Sequence, residues 1–323
     1  MKAPGKAYRE GVSLVKLMKM FPDDTKAEQW FIQHRWPDGS HCPYCGSVNV
    51  LSGAKHKTMP FRCRERGCRK RFSVRTATPM ECSNLGYQIW AIAIYMMTTN
   101  LKGVSSMKLH RDLEITQKSA WHLAHRLRKA LEDDGVKLPS AGPVEADETY
   151  IGGKEKNKHS KKKRRAGRGV VGKTAVAGIK DRATGQVKAK VVKKTDAETL
   201  QSFVTNNTAP KTLVFTDEAG AYKGIDRPHQ AVKHSVGEYV RDQAHTNGIE
   251  SFWSMLKRGH DGVYHKMSPK HLDRYVNEFS GRHNSRPKDT IDQMTCLVGR
   301  MAGKRLRYTD LISDNRLAAG SRP

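Results

Sequence analysis

Two groups of side chains in this sequence have the type and spacing to do chemistry. The first is cysteine. Cys42-Pro-Tyr-Cys45 and Cys63-Arg-Glu-Arg-Gly-Cys68 are two short pairs with 17 residues between them. Each pair fits a tight turn that presents two thiolates, and two such turns give the four ligands of tetrahedral Zn²⁺. Gly46 and Gly67 stand where such turns bend sharply. Four cysteines close the coordination sphere, so this zinc is structural, and His41 and His56 are not needed as ligands. Cys82 and Cys296 have no partner at metal spacing and are read as ordinary thiols.

The second group is carboxylate. Asp147 interrupts the strand-like stretch Val144-Glu-Ala-Asp-Glu-Thr-Tyr-Ile, just before Gly152-Gly153. Aspartate has poor strand propensity, and an inward-facing one must be paired or bound to a metal. Asp217 ends the apolar run Thr212–Thr216, and Glu250 lies in a helical stretch, Thr246–Arg258. Three clustered carboxylates repel unless a dication sits between them. Hard oxygen ligands favour Mg²⁺ or Mn²⁺. Two such ions about 4 Å apart clamp an in-line phosphoryl displacement. Glu145 shares a strand face with Asp147 and is the alternative ligand there. Trp253 is assigned to core packing.

The elements that must position these acids follow from the periodicity. Pro143–Tyr150, Thr174–Lys180 and Val187–Lys193 read as strands, the last two joined as a hairpin. Asp196–Asn206 reads as a helix capped by Thr195 or Asp196. Thr212–Thr216 reads as a central buried strand, Gln230–His234 as a further strand, and Pro269–Phe279 as a later helix. Strand, hairpin, helix, strand, helix is the order of a ribonuclease-H-like α/β core with a mixed sheet, in which neighbouring strands bring Asp147 beside Asp217.

Upstream, helical spacing with a break at Pro22 covers residues 10–36. A zinc ribbon follows, with short strands at Val48–Leu51 and Pro60–Arg62. Arg62, Arg64, Arg66, Arg69, Lys70, Arg71 and Arg75 surround it. Helices at Leu85–Thr98, Val104–Arg111 and Gln117–Leu131 come next, the last capped by Thr116. The second and third form a helix-turn-helix-like pair, the alternative being a plain three-helix bundle. Gln117, Lys118, His122 and Arg126 are predicted on the outer face of the third helix, set to meet bases or phosphates. The expected organisation is therefore a multidomain α+β chain. It comprises an N-terminal helical segment (1–40), the ribbon (41–80), a helical DNA-binding domain (81–140), the catalytic domain (141–300) and a polar tail (301–323).

Charge points the same way. Fifty-nine Lys and Arg against 32 Asp and Glu give +27 and a pI near 10.0. That balance favours a polyanionic partner, nucleic acid ahead of a membrane surface, and double-stranded DNA is the expected partner. Lys154–Lys173 alone carries ten Lys or Arg, among them Lys161, Lys162, Lys163, Arg164 and Arg165, and reads as a DNA-binding loop. The N-terminus has no export-signal pattern, and the longest apolar run, Ile89–Met97, is too short to cross a bilayer.

The segments VEADETYIGG, VFTDEAGAY (Val214–Tyr222), HTNGIESFWSMLKRG (His245–Gly259) and HLDRYVNEFSGRHNSR (His271–Arg286) closely resemble bacterial insertion-sequence transposases. The group is the one with an N-terminal zinc ribbon and an ISXO-type DDE domain. The resemblance implies an enzyme that cuts element ends and joins their 3′-hydroxyls to target DNA with Mg²⁺. It matches Asp147, Asp217 and Glu250 to the three acids. Asn247 matches a polar position that accompanies the third acid, and some relatives are described by Asn rather than Glu there, so Asn247 and Glu250 both stand as candidates for the third ligand. Lys257 matches the basic residue two turns after Glu250. A homodimer or larger assembly on DNA, in the cytoplasm at the nucleoid, is the implied setting. A non-catalytic DNA-binding regulator and a structure-specific nuclease of the same fold are the alternatives.

Overall fold

A computed structural model describes residues 10–132, 135, 137–138, 142–153, 170–217, 219–231 and 246–317. The chain divides into two compact units, one running to Leu131 and including Ser285–Ser313, the other Glu132–Asn284 with the last residues.

In the first unit, helices start where a short polar side chain satisfies the first-turn amides. Ser13 accepts from Lys16 N (3.1 Å) ahead of α1 (Leu14–Met20), and Asp23 accepts from Lys26 N (2.8 Å) ahead of α2 (Asp24–Arg35). The cysteine-bearing segment forms a three-stranded antiparallel sheet, β1 (Val50–Leu51), β2 (Phe61–Cys63) and β3 (Arg71–Phe72). Helix α3 (Tyr87–Thr99) supplies the apolar centre. Ser105 caps α4 (Ser106–Asp112), and Thr116 caps α5 (Gln117–Ala130) by accepting from Ser119 N at 3.2 Å.

One continuous core runs from Val12 through Trp36, Phe61 and Trp90 to Leu131, so the described residues up to Leu131 share a single interior, whereas Leu138 packs in the second unit. Trp36 joins helix to ribbon, its ring 5.2 Å from Phe61 and 5.9 Å from Phe72. Helix α9 (Thr290–Gly299) lies against α2 and α3, and Met294, Leu297, Val298 and Met301 complete this core. The continuous stretch of the second compact unit ends at Asn284, short of the 300 expected for the catalytic domain. Within the segment expected as a polar tail, Leu306 and Leu311 are buried around the short helix α10 (Tyr308–Ile312).

The second unit is built on a five-stranded sheet in the order β6-β5-β4-β7-β8. β4 (Val144–Ile151), β5 (Thr174–Asp181) and β6 (Val187–Val192) form an antiparallel meander. β7 (Val214–Thr216) and β8 (His229–Ala231) run parallel to β4. This mixed order is that of the expected ribonuclease-H-like core. Helix α6 (Ala197–Asn207), capped by Asp196, covers one face through Leu200, Phe203 and Val204. Helices α7 (Asn247–Gly259) and α8 (Leu272–Ser285) cover the other through Ile249, Phe252, Trp253, Leu256 and Val276. A π-helical turn, His260–Tyr264, continues α7. Among the described residues no helix is long and apolar enough to cross a membrane.

Candidate functional site

The four cysteines converge as their spacing predicts. Cys42 Sγ lies 3.7 Å from Cys68 Sγ, Cys45 Sγ lies 3.6 Å from Cys63 Sγ, and all four sulfurs fall within 4.8 Å of one another. A tetrahedron with Zn–S bonds of about 2.3 Å has edges of about 3.8 Å, so this set fits zinc and leaves no open position. In the first turn Gly46 takes φ +77° and returns its N–H to Cys42 O at 2.8 Å. In the second turn Arg69 (φ 49°), not Gly67, takes the left-handed conformation.

The first two acids meet for a reason of register. β4 and β7 pair Val144 with Val214 and Glu145 with Phe215. Two residues further along each strand stand Asp147 and Asp217. Asp147 is largely enclosed, and burial together with the charges of Asp217 and Glu148 pushes its carboxyl up to about 7. Its Oδ1 accepts from Glu148 N (2.8 Å), and its Oδ2 accepts from the Trp253 indole N–H (3.0 Å). Glu148 points to the other sheet face, where the Tyr222 hydroxyl donates to it at 3.0 Å. Burial, and then Asp217, raise its pKa as well. An enclosed carboxyl that burial and neighbouring acids hold back from ionising suits a hard dication, and the oxygen donors of Asp147 and Asp217 fit Mg²⁺ or Mn²⁺.

The third position is less drawn in. Asn247 and Glu250 are both exposed on the first turn of α7, and Glu250 Oε1 accepts from Thr246 Oγ1 at 2.8 Å. Lys257 is also exposed. Among the described residues, the four cysteines form a converged group of three or more metal-type ligands, and Asp147, Asp217 and Glu250 do not form a second one.

Glu145, the alternative ligand, has another task. It is 1% exposed, and it accepts from Arg182 Nε and from Ile249 N, both at 2.8 Å. It therefore holds the amino end of α7 to β4. Lys180 Nζ adds a bond to Gly248 O at 3.2 Å. Gly248 makes the approach possible, since a Cβ there would lie 2.6 Å from Glu145 Oε2.

Two residues carry contacts that the sequence does not expose: Glu145, and Trp253 with its polar edge turned to Asp147. The available signals are a tryptophan three residues after Glu250 and a glycine, Gly178, inside a strand. An internal strand glycine often marks close approach.

The predicted DNA-facing side chains of α5 divide. Gln117 and Lys118 are exposed on its first turn, with Lys118 Nζ 4.7 Å from the Tyr308 ring centroid. His122 and Arg126 are not on a bare outer face, because the segment around Leu306 packs over them. Arg126 is 8% exposed, with Nε 3.3 Å from Leu306 O and a terminal nitrogen 3.2 Å from Glu81 O. His122 Nε2 lies 3.3 Å from Leu306 O, and burial, then Arg126, lower its pKa. Lys161, Lys162, Lys163, Arg164 and Arg165 lie outside the described residues.

Comparison with known proteins finds matches over both parts of the chain. The ISXO2-like transposase domain matches residues 139–284, and the transposase zinc-ribbon domain matches residues 22–83. A protein in transposable element ISH50 of Halobacterium salinarum is 26% identical over 281 residues, covering 82% of this chain and 92% of its own. A transposase-like protein of Haemophilus influenzae is 28% identical over 112 residues, covering 33% of this chain and 89% of its own. With both domains matched in order and an insertion-element relative aligned along most of its length, the chain belongs to the ISXO2-like transposases with an N-terminal zinc ribbon.

Proposed function

We propose that this transposase binds the ends of its insertion sequence, cleaves them to expose 3′-hydroxyls and joins those to target DNA, with Asp147 and Asp217 as ligands of Mg²⁺ or Mn²⁺. The observation that carries this reading is the meeting of Asp147 and Asp217 on paired parallel strands, where burial and mutual repulsion push Asp147 up to about 7. The bound cation would supply charge stabilisation for the attacking and leaving oxygens. Asn247 or Glu250, on the first turn of α7, completes the ligand set, and Lys257 meets a terminal phosphate.

The first unit supplies DNA contacts. Gln117 and Lys118 offer polar groups on the exposed turn of α5, and Arg62, Arg64, Arg66, Arg69, Lys70 and Arg71 are all exposed around the ribbon. Phosphate contacts from these cations hold the duplex, assisted by the basic stretch Lys161–Arg165. Two ends must be handled together, so the working form is a homodimer or larger assembly on DNA, acting at the nucleoid in the cytoplasm.

A strand-transfer assay with inverted-repeat ends and Mg²⁺ tests this reading. Asp147→Asn and Asp217→Asn should abolish cleavage and joining while end binding persists. Undiminished cleavage in either variant overturns the assignment. In the same assay, comparing Glu250→Gln with Asn247→Ala identifies the third ligand by which one loses Mg²⁺-dependent cleavage.

A further inference from the structure

We propose that Trp253 is a positioning residue: its indole N–H fixes the carboxylate of Asp147 and ties the helix bearing Asn247 and Glu250 to that same carboxylate. The inference rests on Asp147 being a metal ligand, as argued above.

Asp147 is held at both oxygens, by Glu148 N on Oδ1 and by Trp253 Nε1 on Oδ2. A carboxylate has about four lone-pair sites, so each oxygen keeps one free for a cation while the plane of the group is set. Trp253 is 3% exposed among Ile249, Phe252 and Leu256. Packing alone would be met by a phenyl or aliphatic side chain. The indole adds one polar atom to this apolar stripe, and that atom is aimed at Asp147.

The sheet makes room for this contact. Gly178 on β5 is the register partner of Asp147 on β4. A Cβ at Gly178 would come within 2.5 Å of Trp253 Cη2 and 2.6 Å of Cζ2. Glycine weakens a strand interior, so its place opposite the acid is explained by the ring that fills the space. Trp253 also lies on the helix that Glu145 docks through Ile249 N at 2.8 Å. The helix is thus tied to β4 at two points, one of them Asp147 itself. Rotation of the helix and orientation of Asp147 are set together.

The test uses the full-length, zinc-loaded protein. Trp253→Phe deletes the donor and keeps a ring in the cluster. Gly178→Ala keeps both side chains but closes the space. Mn²⁺ binding is read by electron paramagnetic resonance without DNA, and the Mn²⁺ concentration for half-maximal cleavage is read separately. Residues that orient a metal ligand change metal affinity by about 10–100-fold when replaced, and a loss in that range is expected for each variant. Cleavage should recover at high Mn²⁺. The double variant should be no worse than Gly178→Ala alone, because phenylalanine lacks the atoms that a Cβ at 178 would strike.

Unchanged Mn²⁺ binding in a folded Trp253→Phe protein overturns the proposal. Should Trp253→Phe fail to fold, Gly178→Ala decides by the same Mn²⁺ readout. Asp147→Asn is the control: if it too binds Mn²⁺ and cleaves normally, the metal-site assignment itself fails. If it loses both while Trp253→Phe does not, only the positioning role is lost.

Discussion

Cys42, Cys45, Cys63 and Cys68 reach one another through two turns and a small three-stranded sheet, all within one short stretch. Asp147 and Asp217 reach one another only because β4 and β7 pair in one register, and α7 then adds its first turn from a third part of the chain. The cysteine centre is therefore a local structure whose ligands help to fold it. The carboxylate centre is a tertiary structure that the whole sheet holds up against repulsion among its own charges. Removing a ligand should unfold the first and leave the second folded but inactive.

Zinc removal gives the largest contrast. Apparent binding free energies of structural zinc are about 10 kcal/mol or more, and a sheet with strands of two or three residues has, besides zinc, chiefly the packing of Phe61 and Phe72 on Trp36 to hold it. Strong chelation, or Cys42→Ser with Cys45→Ser, should abolish amide-exchange protection in β1–β3 and loosen the packing of Trp36 on Phe61 and Phe72. Protection in β4–β6 should remain. A chelated protein that keeps slow exchange at Phe61–Cys63 would break the comparison.

The middle-sized effect belongs to the carboxylate side. Gly248→Ala would place a methyl 2.6 Å from Glu145 Oε2. That oxygen is the end of a flexible side chain, but Arg182 and Ile249 N hold the carboxylate in a buried site, so it has nowhere to retreat. Overpacking of this kind costs about 1–3 kcal/mol. Denaturant unfolding should show that loss, and cleavage should fall further than stability alone explains, since the turn carrying Asn247 and Glu250 is displaced. A change in stability within about 0.5 kcal/mol, as at an ordinary surface site, would mean that α7 is not fixed at this point.

The same contrast separates what the amino-acid sequence makes legible from what only the folded chain reveals. The zinc ligands follow from cysteine spacing, and the helix starts at Thr116 and at Thr195 or Asp196 follow from capping chemistry, Asp196 being the cap in the structure, because both depend on near neighbours. Asp147 is legible as an anomaly in a strand. The role of Glu145 is not: strand alternation places it on the right sheet face, but its partners, Arg182 and Ile249 N, come from the register of β5 and the docking of α7. Trp253 reads as core and is core, and only the pairing of Asp147 with Gly178 turns its polar edge to use. Likewise, nothing near Arg126 in sequence announces that Leu306 will cover it, and the polar composition after 300 hides three anchors, Met301, Leu306 and Leu311.

The smallest effect lies back in the ribbon and sharpens the idea that its turns are set locally. Gly46 has φ +77° and open space around it, so Gly46→Ala meets backbone strain and no clash. That strain is about 1 kcal/mol, or roughly a fivefold loss of zinc affinity. Gly67 has neither a positive φ nor a close neighbour, so Gly67→Ala should leave zinc affinity unchanged although both glycines occupy cysteine turns. The second turn instead puts its strain on Arg69, at φ 49°. Arg69→Gly should relieve it and, after the extra entropy of a glycine in the unfolded chain, tighten zinc by no more than the Gly46 change weakens it. Competitive titration against a chromophoric chelator reads all three values. Equal losses from Gly46→Ala and Gly67→Ala would show that the two turns are not shaped by the backbone conformations at Gly46 and Arg69.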